Sequence, residues 1–280
     1  MNPDQVADMH GPISAEELAF WNRNFQFSAF LPDFSACLEQ QASESARYRL
    51  QRQEQHSAGI DEYYGQHARQ FVRKYQRSPA PARACIFVHG GYWRALSVEA
   101  HDFVGMRLGS EADFYNVEYR LQPSTGFQDQ ISDVQCGIGM ALQHCSQRGI
   151  EKIDILGHSA GGHLAFCAMQ GTEISAAHEP VEITLNCISG IYDLEPLSRS
   201  FLAKDISLSA ADVQQFSPLN LQTPFAKIRY LLCVGENETP EYFRQAFQML
   251  RKLIQCGHQA DFRQLPKAHH MQAVQAFLDN

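Results

Sequence analysis

Several things are missing from this chain. Its eight cysteines form no C-x-x-C pair, its basic residues form no long cluster, and it has no internal repeat or low-complexity tract. No apolar run approaches the roughly 18 residues that span a bilayer. Each absence excludes a class. Cys85, Cys187 and Cys233 sit inside the apolar runs "ACIFVH", "LNCIS" and "YLLCVGE". Without paired spacing, the cysteines read as buried reduced thiols rather than a disulfide framework. With a formal net charge of -8 and no long basic cluster, neither nucleic acid nor a membrane is expected as a partner. The opening "MNPDQVADMHGPISAEE" lacks the basic-then-apolar order of a signal peptide. A cytoplasmic protein is therefore expected. The histidines lack ligand spacing such as H-E-x-x-H, so no metal is expected.

What is present is enough apolar material for one large core: 44% hydrophobic residues in 280. Residues 1–60 read as a polar, helical N-terminal extension, with Ser14 and Glu17 at capping-box spacing. From Ala58 two short strands are expected, "AGIDEYYG" and "RQFVRKYQR", and then a Pro/Ala-rich break at 78–84. A regular alternation follows. Strands "ACIFVHGG", "ADFYNVEYRL", "KIDILG", "VEITLNCISG", "IRYLLCVGE" and "QADFRQLP" are interleaved with helices over 129–148, 160–170, 240–256 and 270–280. Residues 194–216 are irregular and partly helical. The alternation predicts a single α/β domain over 1–280, with a mostly parallel central sheet and helices on both faces. The N-terminal extension and 194–216 could together form a partial lid. Ligands in such folds bind beyond the carboxyl ends of the strands.

Ser159 stands there, in "LGHSAGGHL". Gly157-His158-Ser159-Ala160-Gly161 is a G-x-S-x-G match between a strand and a helix. A plain turn could carry the same residues, but this context suits a serine presented as a nucleophile. The flanking glycines let strand and helix approach, and the helix N-terminus places positive dipole near a developing oxyanion. Such a serine needs an oxyanion hole, a base and an orienting acid. "FVHGGYW" follows the first core strand. It offers the backbone N–H groups of Gly91 and Tyr92, to which Ala160, directly after the serine, would add its own. His89 reads as a brace for that loop. After the last strand come His269 and His270, of which His270, at the start of the helix, is the better base. After the strand before it come Glu236 and Glu238, with Asp193 as a third carboxylate. The serine–acid–histidine chain order is that of α/β-hydrolases.

"HGGYW", "GHSAGGHLA", "SGIYDLEPL", "SPL" at 217–219 and "VGENETPEYFRQ" together resemble the kynurenine formamidase (arylformamidase) group of α/β-hydrolases, from about Asp61 to His270. The resemblance implies hydrolysis of N-formylkynurenine to kynurenine and formate, without a cofactor. It favours Glu238, third after the strand-end glycine and just before Thr239-Pro240, although the family has aspartate there. Its general base often precedes phenylalanine, whereas here His270 precedes Met271. Tyr92, Trp93 and Tyr192 are candidate walls of an aromatic pocket, or equally aromatics of the core. The expected partner is a small acyl or formyl substrate, with a homodimer allowed. A short-chain carboxylesterase using the same residues is the nearest alternative. A non-catalytic binding protein of the same fold would not need the complete set of serine, histidine, acid and glycine box.

Overall fold

The computed structural model describes residues 13–170, 182–206, 208–221 and 228–279. Most of the opening segment in which no signal pattern was found, residues 1–12, lies outside them. The N-terminal extension is helical: α1 (Ala15–Phe25), α2 (Phe27–Phe30) and α3 (Phe34–Glu54). Ser14 caps α1, its hydroxyl accepting from the Glu17 N–H at 3.1 Å. Eight strands follow: β1 (Ile60–Tyr63), β2 (Phe71–Tyr75), β3 (Arg83–Val88), β4 (Ala112–Val117), β5 (Lys152–His158), β6 (Glu182–Ile188), β7 (Arg229–Gly235) and β8 (Ala260–Leu265). Between them lie α4 (Phe103–Arg107), α5 (Phe127–Gln147), α6 (Ala160–Ala168), α7 (Glu195–Ser198), α8 (Ala210–Phe216) and α9 (Pro240–Gln255), and α10 (Ala273–Leu278) closes the chain.

The strands form one sheet in the order β1-β2-β4-β3-β5-β6-β7-β8. Pairing is antiparallel through β1, β2 and β4 and parallel from β4 to β8. This is the expected mostly parallel α/β sheet. Successive side chains of a strand point to opposite faces, and the core divides accordingly. Ala84, Ile86 and Val88 of β3 join one apolar cluster, with Val134 and Ile138 of α5, Leu164 of α6 and Met249 of α9. Cys85 and Phe87 join the other, with Tyr48 of α3, Phe103 of α4 and Val274 of α10. Helices thus cover both faces, and every residue of α6 is buried. All eight cysteines are free, five of them buried.

The segment 194–216 is tied to the N-terminal extension. Phe201 N–H donates to Asn22 Oδ1 at 2.7 Å, and Arg199 Nε donates to Glu17 Oε1 at 2.5 Å. Its apolar residues Leu197, Leu202, Ile206 and Leu208 are sunk in the core, which anchors it from beneath.

Candidate active site

Ser159 occupies the turn between β5 and α6 with φ 55° and ψ -122°, a left-handed conformation that strains any residue bearing a Cβ. The surroundings hold it there. Its N–H donates to Ile188 O of the neighbouring strand end at 2.9 Å, and its carbonyl accepts from Gly162 and His163. The glycines answer a steric demand, since a Cβ on Gly161 would lie 2.2 Å from Val88 O. Strand β3 and helix α6 therefore touch backbone to backbone.

The loop after β3 lies against the serine: a Cβ on Gly90 would sit 3.2 Å from Ser159 Cβ. Gly91, Tyr92 and Trp93 all have positive φ, at 109°, 49° and 59°. Among the described residues, the N–H groups of Gly91, Tyr92 and Ala160 make no hydrogen bond. Ala160 is the first residue of α6, where the helix cannot satisfy its own donors. The loop is braced from behind by Glu118. Its carboxylate accepts from Arg69 Nη2 (2.5 Å), Val98 N–H (2.9 Å) and Tyr119 N–H (3.2 Å), and it stands 3.3 Å from His89 Nε2. Tyr119 hydroxyl donates to His89 O at 2.9 Å.

Beyond β7 and β8, His270 Nδ1 donates to Glu238 Oε2 at 2.7 Å. A carboxylate only accepts, so Nδ1 carries the proton and Nε2 is left as the basic nitrogen. The other oxygen, Oε1, accepts from Gly235 N–H at 3.1 Å and from the Ser189 hydroxyl. Ser159 and His270 are 3% and 4% exposed. His158, next to the serine, donates from Nε2 to His270 O at 3.1 Å. Burial and the neighbouring His270 keep the His158 ring neutral, its pKa far below the usual histidine value. Phe27 stacks on the His270 ring at 4.1 Å and 13°, and Tyr242 lies 4.8 Å from it.

The other candidates are engaged elsewhere. His269 Nε2 bonds Asp33 Oδ2 at 2.9 Å, and its Nδ1 accepts from Met271 N–H at 3.2 Å. Glu236 accepts from Lys267 N–H at 2.7 Å at the surface. Asp193 pairs with Arg244 at 2.8 Å and accepts from Glu195 N–H at 3.2 Å. Of the three carboxylates, only Glu238 meets a histidine of this loop.

Residues 72–204 match the BD-FAE family. The chain is similar to the kynurenine formamidase of Danio rerio, 25% identical over 199 residues that cover 69% of this chain and 67% of that one. The chain has the α/β-hydrolase fold and is similar in sequence to kynurenine formamidases. Solved structures share the fold. A putative thioesterase from Silicibacter sp. TM1040 has TM-score 0.78, 21% identity, and coverage of 91% of this chain and 94% of that one. Esterase B from Lactobacillus rhamnosis has TM-score 0.62, 18% identity, and coverage of 86% and 90%.

Of the two alternatives for Trp93 and Tyr192, pocket wall or core, the structure has the core. Trp93 and Tyr192 are 0% and 1% exposed and belong to the core. Trp93 donates to His163 Nδ1 at 3.2 Å and packs edge-on against Phe127, so it anchors the glycine loop from within. Tyr192 packs edge-on against Phe166 of α6. The aromatic groups beside the histidine are instead Phe27 and Tyr242. Phe27 in turn stacks on Tyr92 at 6.3 Å, and Tyr92 hydroxyl donates to Phe25 O at 2.7 Å. No local signal marked Phe27, because its partner lies 243 residues away.

One group of metal-ligating type occurs among the described residues: Asp33, Cys37 and His269. It does not fit a metal. Burial and the neighbouring Asp33 carboxylate push the Cys37 thiol up to about 11. The bond from Met271 N–H fills His269 Nδ1, so Nε2 carries the proton and offers no lone pair. In the hydrolase these residues act as a hydrogen-bonded tie between α3 and the histidine loop.

Proposed function

We propose that this hydrolase cleaves a small formamide, most closely an aryl formamide such as N-formylkynurenine, through a formyl-enzyme on Ser159. The observation that carries this reading is the buried His270–Glu238 pair at 2.7 Å, set beside a strained serine and a loop of free N–H groups. In the first step Ser159 Oγ attacks the formyl carbon while its proton passes to His270 Nε2. The resulting oxyanion accepts from the N–H groups of Gly91, Tyr92 and Ala160. Glu238 holds the ring in the Nδ1–H tautomer and stabilises the imidazolium. His270 then returns the proton to the aryl nitrogen, the C–N bond breaks, and the arylamine leaves. Water, deprotonated by His270, attacks the formyl ester; formate departs and Ser159 regains its proton.

The aromatic residues around His270 support a flat substrate, and similarity to the kynurenine formamidase of Danio rerio supports the formyl group. Helices α1 and α2 with the segment 194–216 would act as a partial lid. Eight unpaired thiols suit a reducing compartment, so we place the enzyme in the cytoplasm. The fold shared with esterase B keeps a short-chain carboxylesterase as the second reading. The deciding experiment compares kcat/KM for N-formyl-L-kynurenine and short-chain aryl esters on the same preparation. Preference for the formamide is expected. Turnover of esters alone would replace the formamidase reading with the esterase.

A further inference from the structure

We infer that Ser189 is a positioning residue for the catalytic acid: its hydroxyl holds Glu238 in the one orientation that serves His270. The inference rests on the reading of Ser159, His270 and Glu238 as the reacting set. Three observations carry it. First, Ser189 is fully buried at the end of β6, and its hydroxyl donates to Glu238 Oε1, the oxygen that His270 does not use. Second, Ser189 has φ 51°, a conformation that glycine adopts freely and a serine does not. A Cβ kept at such a position implies that the side chain has a task, and the next residue, Gly190, shows that the chain places a glycine one step away. Third, the backbone around it is locked. Ser189 N–H donates to Cys233 O at 2.7 Å, and the carbonyl just before it, of Ile188, accepts from the nucleophile's own N–H at 2.9 Å. The strained serine of β6 is thus stitched on one side to the nucleophile turn and on the other to the strand that carries the acid.

The geometry explains why a glutamate can serve here. Its longer side chain has one more torsion to fix than aspartate. Three donors fix it: Gly235 N–H and the Ser189 hydroxyl on Oε1, and His270 Nδ1 on Oε2. The carboxylate is fully buried. Without Ser189, one oxygen of a buried anion keeps a single donor, and the carboxylate is free to turn away from the imidazole.

The test uses wild type, Ser159→Ala, Glu238→Gln, Ser189→Ala, Ser189→Gly and the double variant Ser189→Ala/Glu238→Gln. All are assayed on whichever of the two substrates above is turned over, with melting curves for each. Ser189→Ala is expected to lower kcat about ten- to a hundredfold, with KM changed less than about twofold. Ser189→Gly relaxes the backbone yet lacks the hydroxyl, and is expected to be as slow as Ser189→Ala; it also serves where the alanine variant folds poorly. In the Glu238→Gln background, Ser189→Ala should cost little more, because Ser189 acts only through the carboxylate that Glu238→Gln already removes. Wild-type kcat in a folded Ser189→Gly, or full additivity of the two losses, would overturn the inference. Failure of the underlying reading has a different signature. Full activity of Ser159→Ala or Glu238→Gln would remove the catalytic set, and the inference with it.

Discussion

At the amino ends of β3, β5, β7 and β8 the sheet opens on a cleft of about 670 Å³, lined by Arg83, Asp154, Arg229 and Asp261 among others. Its ion pairs, Arg83–Asp154 at 2.8 Å and Arg229–Asp261 at 3.7 Å, lie at the surface, with arginines more than half exposed. At the carboxyl ends of the same strands the chain does the opposite. Ser159, Ser189 and His270 are buried, Ser159, Ser189 and Tyr92 have positive φ, and polar groups are paired through the backbone of the adjacent strand. The open end carries solvent-screened charge, while the closed end carries strain and desolvated charge. It is the energetically expensive geometry that marks the candidate site.

The contrast can be broken, and the largest effect should come first. Ser159→Ala is expected to lower kcat at least about a thousandfold while leaving the melting temperature within a few degrees; retained turnover would end the nucleophile assignment. Glu238→Gln should cost about a thousandfold or more, and Glu236→Gln less than about twofold; the reverse order in steady-state assays would move the acid. Phe27→Leu keeps apolar bulk but removes the ring stacked on His270, and should lower kcat/KM about three- to tenfold. An unchanged kcat/KM would mean that the stack is only packing.

A smaller, distributed effect concerns pH. Burial holds His101 down to about 3 and His163 down to about 4. Unfolded chains take up these protons near pH 6.5, and the folded chain does not. The unfolded state therefore binds more protons, and stability rises with pH across this interval. It is complete above about 6.5 and is lost as pH falls toward 4. Urea midpoints at pH 7 and pH 4.5 check this, and equal midpoints would contradict it. The smallest effect belongs to the open end of the sheet. Arg83→Ala should change stability by less than about 1 kcal/mol and leave activity alone, and a tenfold loss of turnover there would erase the contrast.

The strands were readable as apolar runs, and the candidate site residues were sought shortly after them because a parallel sheet gathers its strand ends. Ser159 was readable through its glycines, whose lack of a Cβ is a steric requirement visible as spelling. For Trp93 and Tyr192 the sequence left pocket wall and core equally open, because an aromatic after a strand can turn outward or inward and only packing decides. Ser189 left no trace, since a positive φ on serine has no signature in composition. Phe27 was invisible for a different reason: its contact is long-range, and the helix around it reads as an ordinary polar extension.

The stack of Phe27 on His270 joins positions near opposite ends of the described chain. No fragment made by a single cut between them contains both rings. During synthesis, Phe27 must wait through the whole sheet before its partner emerges. The contact therefore forms only after all eight strands have been made, and it reports on the assembly of the sheet as a whole.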